Sequence, residues 1–195
     1  YWGSSALTAG RYHYDFTMAF DREVPLLPVF VWFYILAFPF WAVGYLLAAR
    51  RGKDMFYRFV ATDLTIHFIC FICFILIPTT NIRPEIAGNT ISEKLLALVY
   101  SLDGGRSPSN LFPSIHCYVS WMCWKGVEGS EKVPKWYQRF SLVFAILIII
   151  STQVLKQHYI VDAAAALLLV EFFWRFYQKG QRHKWVVHIF AHKKK

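Results

Sequence analysis

Lys156, His158 and Asp162 fall in the stretch STQVLKQHYIVD, residues 151 to 162, between two strongly apolar runs. Ionisable side chains are costly at membrane depth, and where they occur they line cavities and serve ion movement, proton movement or chemistry. His158 and Asp162 are four residues apart, a spacing that on a helix places carboxylate and imidazole one turn apart on the same face. A carboxylate so placed holds one ring nitrogen protonated and frees the other as base, ligand or nucleophile. Lys156 adds a fixed positive charge nearby. The group therefore suits an anionic substrate better than a cation.

The elements around this stretch read as membrane helices. The chain has 195 residues, 56% of them hydrophobic and 19% aromatic, with a mean hydropathy of +0.35. A soluble domain of this length is rarely so apolar, and several runs approach the ~20 residues that span a bilayer. The expected fold class is all-α, a polytopic membrane helix bundle forming one integral-membrane catalytic domain over residues 1–195. The formal net charge of +9 does not indicate nucleic acid, because the basic residues flank apolar segments instead of interleaving with a polar face. Cys70 and Cys73 form a CxxC inside the apolar run IHFICFICFILIP. With no second pair at ligand spacing they read as packing residues, not as zinc ligands or a disulfide framework. No metal and no cofactor is assigned.

In chain order, residues 1–27 read as a polar or interfacial lead-in. The segment opens on Tyr1 without a methionine and lacks a signal-peptide apolar core, which leads us to expect a trimmed N-terminus and a helix lost before Tyr1. Helices are expected at 28–49, 59–77, 113–124, 141–153 and 159–177, giving five visible transmembrane helices. Asp63 and His67, again four apart, read as a mutually satisfied pair within the second. Between the second and third helices, Thr90 with Glu93 has capping-box spacing. Leu95, Leu96, Leu98 and Val99 give the short helix that follows an apolar side suited to the membrane surface. Residues 180–195 form a basic tail, read either as an interfacial anchor through Trp185, Val186, Ile189 and Phe190 or as a solvated segment.

Alternating the five spans places the 50–58 loop, the 125–139 loop and the C-terminal tail on one side, with 15 of the 21 Lys and Arg residues. By the positive-inside rule that side is cytoplasmic, so the C-terminus is expected in the cytoplasm and the protein in the cell membrane. Arg83, His116, Lys156, His158 and Asp162, from three separate segments, are then expected to meet at the extracytoplasmic end.

These residues match a family pattern. Arg83-Pro84, then Pro113-Ser114-Ile115-His116, then Ser151 with His158 and Asp162 resemble the type 2 phosphatidic acid phosphatase superfamily of membrane lipid phosphatases and phosphotransferases. The match covers roughly residues 60 to 175. Its core has six membrane helices, of which five are visible here. Three positions depart from the pattern: Leu76 stands where the first lysine is expected, Ile115 replaces a glycine, and Thr152 replaces an arginine. Lys156, one helical turn after Thr152, is a substitute for that arginine, and Arg106 is a candidate for the lost lysine. Retention of the histidines and Asp162 beside altered cations looks closer to the inositol phosphoceramide synthase and sphingomyelin synthase side of the superfamily.

The resemblance implies a membrane-embedded phosphoesterase acting on a lipid phosphate or diphosphate. His158 would attack phosphorus to give a phosphohistidine, with Asp162 fixing its tautomer. His116 would protonate the leaving oxygen and then activate water or an alcohol. Arg83, Lys156, Ser114 and Arg106 would contact the phosphate, helped by N–H groups at the helix start. The alternative within the same chemistry is a lipid phosphotransferase that passes the headgroup to an alcohol. Two readings from other classes are a haem-binding bundle using His67, His116 and His158, and an anion transporter. Membrane lipids and the lipid phosphate are the expected partners.

Overall fold

Proline and glycine punctuate the chain where its helices begin and end. The structure, a computed structural model, describes residues 2–191. Tyr1 and the lysines at 193–195 of the basic tail lie outside the described residues, as does the side chain of Phe190. The helices are α1 (Trp2–Thr8), α2 (Ala19–Glu23), α3 (Val31–Ala49), α4 (Lys53–Leu76), α5 (Ile91–Leu102), α6 (Ile115–Val127), α7 (Lys135–Val154), α8 (Ile160–Gln178) and α9 (Lys184–Ala191). A 3-10 turn at Pro28–Phe30 leads into α3. Two short strands, β1 (Tyr14–Asp15) and β2 (Thr79–Thr80), pair in parallel with Tyr14 opposite Thr79.

Three segments, Pro28–Ala49, Lys53–Leu76 and Lys135–Val154, are long and apolar enough to cross a membrane. The other two expected spans differ for physical reasons. Helix α6 has 13 residues, eight of them buried, because it packs against α3, α4, α7 and α8 at once. Helix α8 has 19 residues but carries Asp162, Glu171 and Arg175. Helix α4 begins earlier than expected, shortening the loop after α3 to residues 50–52.

Close approach around α6 depends on two glycines. A Cβ on Gly44 would stand 2.6 Å from the Cys123 sulfur, and one on Gly126 would stand 2.8 Å from the Phe59 ring. Small residues at such crossings let backbones approach closely inside membranes. The Asp63–His67 pair is present, with Nδ1 and Oδ1 3.5 Å apart, and has partners the sequence did not show. Tyr45 donates its hydroxyl to Asp63 at 2.7 Å, and the Tyr118 hydroxyl bonds the His67 ring.

The described residues near both ends include packed helices. The expected lead-in contains α1, which packs against α4, and α2, whose buried Asp21 accepts the Ile160 N–H at 2.9 Å. Leu27 N–H donates to Val154 O at 2.9 Å. In the tail, α9 packs on α4, with Val186 buried against Ala61 and Tyr177, while Trp185 and Ile189 stay exposed. The expected surface helix is α5, but its apolar side is turned to protein: Leu96 is buried with Val31, Tyr34 and Leu155, Leu95 and Val99 pack on that cluster, and of the four only Leu98 stays exposed. Its capping box is formed: Glu93 N–H donates to the Thr90 hydroxyl, and the Glu93 carboxylate accepts from Thr90 N–H, both at 3.2 Å.

Candidate active site

The turn between α7 and α8 presents His158. Helix α7 ends at Val154, and Thr152 O accepts from Gln157 N–H at 2.9 Å and His158 N–H at 3.0 Å, folding the chain back over the helix end. Helix α8 begins only at Ile160, so His158 precedes the helix. Asp162, in its first turn, reaches back: Oδ2 accepts Tyr159 N–H at 2.9 Å and stands 3.4 Å from His158 Nδ1. That pair is within ion-pair range and longer than a tight hydrogen bond. It leaves Nε2 as the ring nitrogen not facing the carboxylate.

Helix α6 brings the second histidine. Ser114 caps it by accepting Cys117 N–H at 3.3 Å, and Ser114 N–H donates to Asp162 O at 3.3 Å, joining the starts of α6 and α8. The first-turn N–H groups of a helix have no partner within it, so those of Ile115 and His116 stand at this junction. The His116 ring stacks on Tyr34 at 4.1 Å between centroids, with Trp41 at 4.9 Å and Phe38 edge-on at 5.6 Å. These three aromatics recur at i, i+4 and i+7 along one face of α3, a spacing present in the sequence. Trp41 is fixed in turn by donating Nε1–H to the Ser120 hydroxyl at 2.9 Å.

His116 and His158 line one cavity of about 430 Å³. Its walls come from α3 (Tyr34, Ile35, Phe38, Trp41), α5 (Val99, Leu102) and Ile115, with Asp103 and Asn110 as the other polar members. An apolar chamber lined by two imidazoles has the chemistry to accept an amphiphile.

The expected cations are arranged differently. Arg83 is fully buried but does not line the cavity. Its guanidinium donates to Asp103 O at 2.8 Å, Gly105 O at 3.1 Å, the Asp103 carboxylate at 2.6 Å and the Gln157 side-chain carbonyl, and lies 4.7 Å over the Tyr100 ring. Burial pushes the Tyr100 hydroxyl up to about 12, opposed by the Arg83 charge. Arg83 thus ties the α5 end, through Asp103, to the residue preceding His158.

Lys156 lies beyond the end of α7 at φ 52°, so the one-turn relation to Thr152 does not apply. Its ammonium donates to Asp21 O at 2.7 Å and to Val24 O. Burial lowers its pKa, opposed by Asp21. Arg106 pairs with Glu85 at the surface. Near Leu76, where a lysine is expected, Arg11 donates to Ile75 O. Asp103, Asn110, Gln157 and the α3 aromatics are members or supports of the site that sequence reasoning missed. Among the described residues no group of three or more His, Cys, Asp or Glu side chains is placed to hold a metal ion.

A family model described as the PAP2 superfamily matches residues 12–175. The chain belongs to the PAP2 superfamily. No curated protein and no solved structure matches it. PAP2 membership supports a phosphatase or phosphotransferase type of function at a membrane, acting in general on lipid phosphates, and the three apolar helices agree with an integral membrane protein.

Proposed function

We propose that this PAP2 protein is a membrane-embedded phosphoesterase whose substrate is a lipid phosphate or diphosphate, with His158, Asp162 and His116 carrying the chemistry. The observation behind the reading is the meeting of His116 and His158 in one apolar-walled cavity, with Asp162 3.4 Å behind His158 Nδ1. His158 Nε2 attacks phosphorus, and the bond to the leaving alkoxide or phosphate oxygen breaks. That oxygen takes a proton from His116. His116 then removes a proton from water as it attacks the phosphohistidine, releasing phosphate and restoring both histidines. Asp162 stabilises the imidazolium form of His158. An alcohol in place of water gives the transferase reaction.

The phosphate oxygens are received by the first-turn N–H groups of α6 and the Ser114 hydroxyl hydrogen. Arg83 contributes its charge from behind Asp103 and Gln157, and shifts from the Asp103 carboxylate to the phosphate when substrate enters. Lys156 and Arg106 assist by holding the loops at the site's rim. In the membrane, α6 and α8 complete a five-span bundle with α3, α4 and α7. The cavity then faces the extracytoplasmic side of the cell membrane, and the C-terminus lies in the cytoplasm with most of the basic residues.

The experiment is to incubate purified protein with a panel of lipid phosphates, with and without alcohol acceptors, and to score free phosphate against new lipid. His158→Ala is expected to abolish both products while the protein still inserts and elutes as the wild type. Turnover by this variant at the wild-type rate would remove His158 as nucleophile.

A further inference from the structure

A second cavity lies at the other end of α8. Helix α8 spans about 28 Å at 1.5 Å per residue, which separates this end from the turn that holds His158. The cavity, about 500 Å³, is lined by Leu168, Glu171, Phe172, Arg175, Phe176, Lys179 and Arg182. Gly180, at φ 63°, turns the chain after α8, and Arg182 comes back so that its guanidinium sits 4.3 Å over the Phe176 ring. Three cations thereby surround one opening with a single carboxylate.

The ordinary duties of cations at a helix C-terminus do not account for this cluster. The last carbonyls of α8 are met from α4, where Arg58 donates to Tyr177 O at 2.7 Å and Gln178 O at 2.8 Å. Arg182 adds only a 3.4 Å contact to Phe176 O. Glu171 is shared with α6, 3.1 Å from the Lys125 ammonium and accepting Trp121 Nε1–H at 2.9 Å, and stands 3.4 Å from Arg175. Among the described residues neither Lys179 nor Arg182 has a carboxylate within ion-pair range. Below the cations, Leu168 and Phe172 are 71% and 63% exposed. Together with Phe176 they form a strip at i, i+4 and i+8 running along the helix toward the middle of the bundle.

We propose that this cavity binds one anionic phospholipid in the leaflet opposite the catalytic cavity. Its phosphate and negative headgroup would sit among Arg175, Lys179 and Arg182, with an acyl chain along Leu168, Phe172 and Phe176. The excess of two positive charges in the lining complements the headgroup, and the apolar strip selects a lipid over a soluble phosphate. The occupant is held by charge at the surface and by burial of its chain. The site is independent of the catalytic assignment and stands or falls without it.

The test is native mass spectrometry of the detergent-solubilised full chain, counting bound lipid during titration with phosphatidylglycerol, phosphatidylcholine or glycerol phosphate. The expected result is one saturable phosphatidylglycerol adduct that phosphatidylcholine and glycerol phosphate do not displace. Lys179→Gln/Arg182→Gln is expected to weaken it roughly thirtyfold, the equivalent of about 2 kcal/mol for two surface cations. Lys132→Gln/Lys135→Gln, at the same end of the bundle but outside the cavity, is expected to leave it unchanged. Equal binding of phosphatidylcholine by the wild type would overturn the proposal without reference to any variant. Displacement by glycerol phosphate would do so as well, and so would equal weakening in the two double variants, which would indicate diffuse surface charge.

Discussion

Replacing Asp162 by asparagine separates positioning of the proposed nucleophile His158 from stability of the fold. The Asp162 side chain does two things: Oδ2 accepts the Tyr159 N–H at 2.9 Å, and the carboxylate stands 3.4 Å from His158 Nδ1. An asparagine carbonyl keeps the first contact, so Asp162→Asn should cost no more than about 1 kcal/mol, the usual worth of a single neutral hydrogen bond or cap. For a domain of this size that lowers Tm by roughly 2–4 °C. The second role needs a negative charge. Neutralising the orienting carboxylate of a catalytic histidine costs about 10⁴ in turnover where the acid fixes the tautomer, a barrier change of about 5 kcal/mol. Asp162→Ala removes both contacts, and should lose activity to a similar degree while costing roughly 1–3 kcal/mol in stability. The assay is phosphate release from a lipid phosphate in detergent micelles, paired with thermal melting of the same samples. If Asp162→Asn kept activity within tenfold of the wild type, the carboxylate would be only a helix cap and the tautomer argument would fail.

Arg83→Gln should destabilise the protein by about 3 kcal/mol, because it removes the buried guanidinium's bonds to Asp103 and to Gln157 in the loop before His158. Adding Asp103→Asn should recover at least about 1 kcal/mol of that loss, whereas strictly additive melting data would show that the ion pair is not coupled. Lys156→Met should lower kcat/KM by less than tenfold, since its ammonium lies on the Asp21 and Val24 carbonyls; by the arithmetic of barriers, a loss of about 100-fold would put the ammonium on the phosphate instead. Gly44→Ala should destabilise by roughly 1–3 kcal/mol through overpacking against Cys123. Cys123→Ala in the same chain should restore most of it, and a Gly44→Ala protein with wild-type Tm would disprove the close approach.

Much of the helical framework is legible in composition and punctuation. Pro28 and the Thr90 and Glu93 box mark helix starts that the structure keeps, because caps depend on local backbone chemistry; Gly52 fell inside the expected 50–58 loop, and α4 starts directly after it. Helices α1, α2 and α9 were less visible. The first two have 7 and 5 residues, too short for a periodic signal, and α9 is secured by Val186 packing on residues far away in sequence. Five membrane crossings were expected from apolar runs, and three helices have the length and apolarity for one; α6, with 13 residues, packs against four other helices.

By itself the sequence determined an apolar helical chain, a polar break at residues 151–162, and the motif residues that ally it with the PAP2 superfamily. All of these follow from residue types and short spacings. Tertiary structure alone decided what surrounds them. It placed the Tyr34, Phe38 and Trp41 rings around His116, lodged Arg83 on Asp103 and Gln157, and turned Lys156 toward the lead-in once α7 ended at Val154. A side chain's partner depends on where helices stop and which faces meet, and those are outcomes of packing over the whole chain. The nearness of His158 and Asp162 was signalled by their spacing, although His158 precedes α8 instead of sharing its face; the cavity that His158 shares with His116 required the fold.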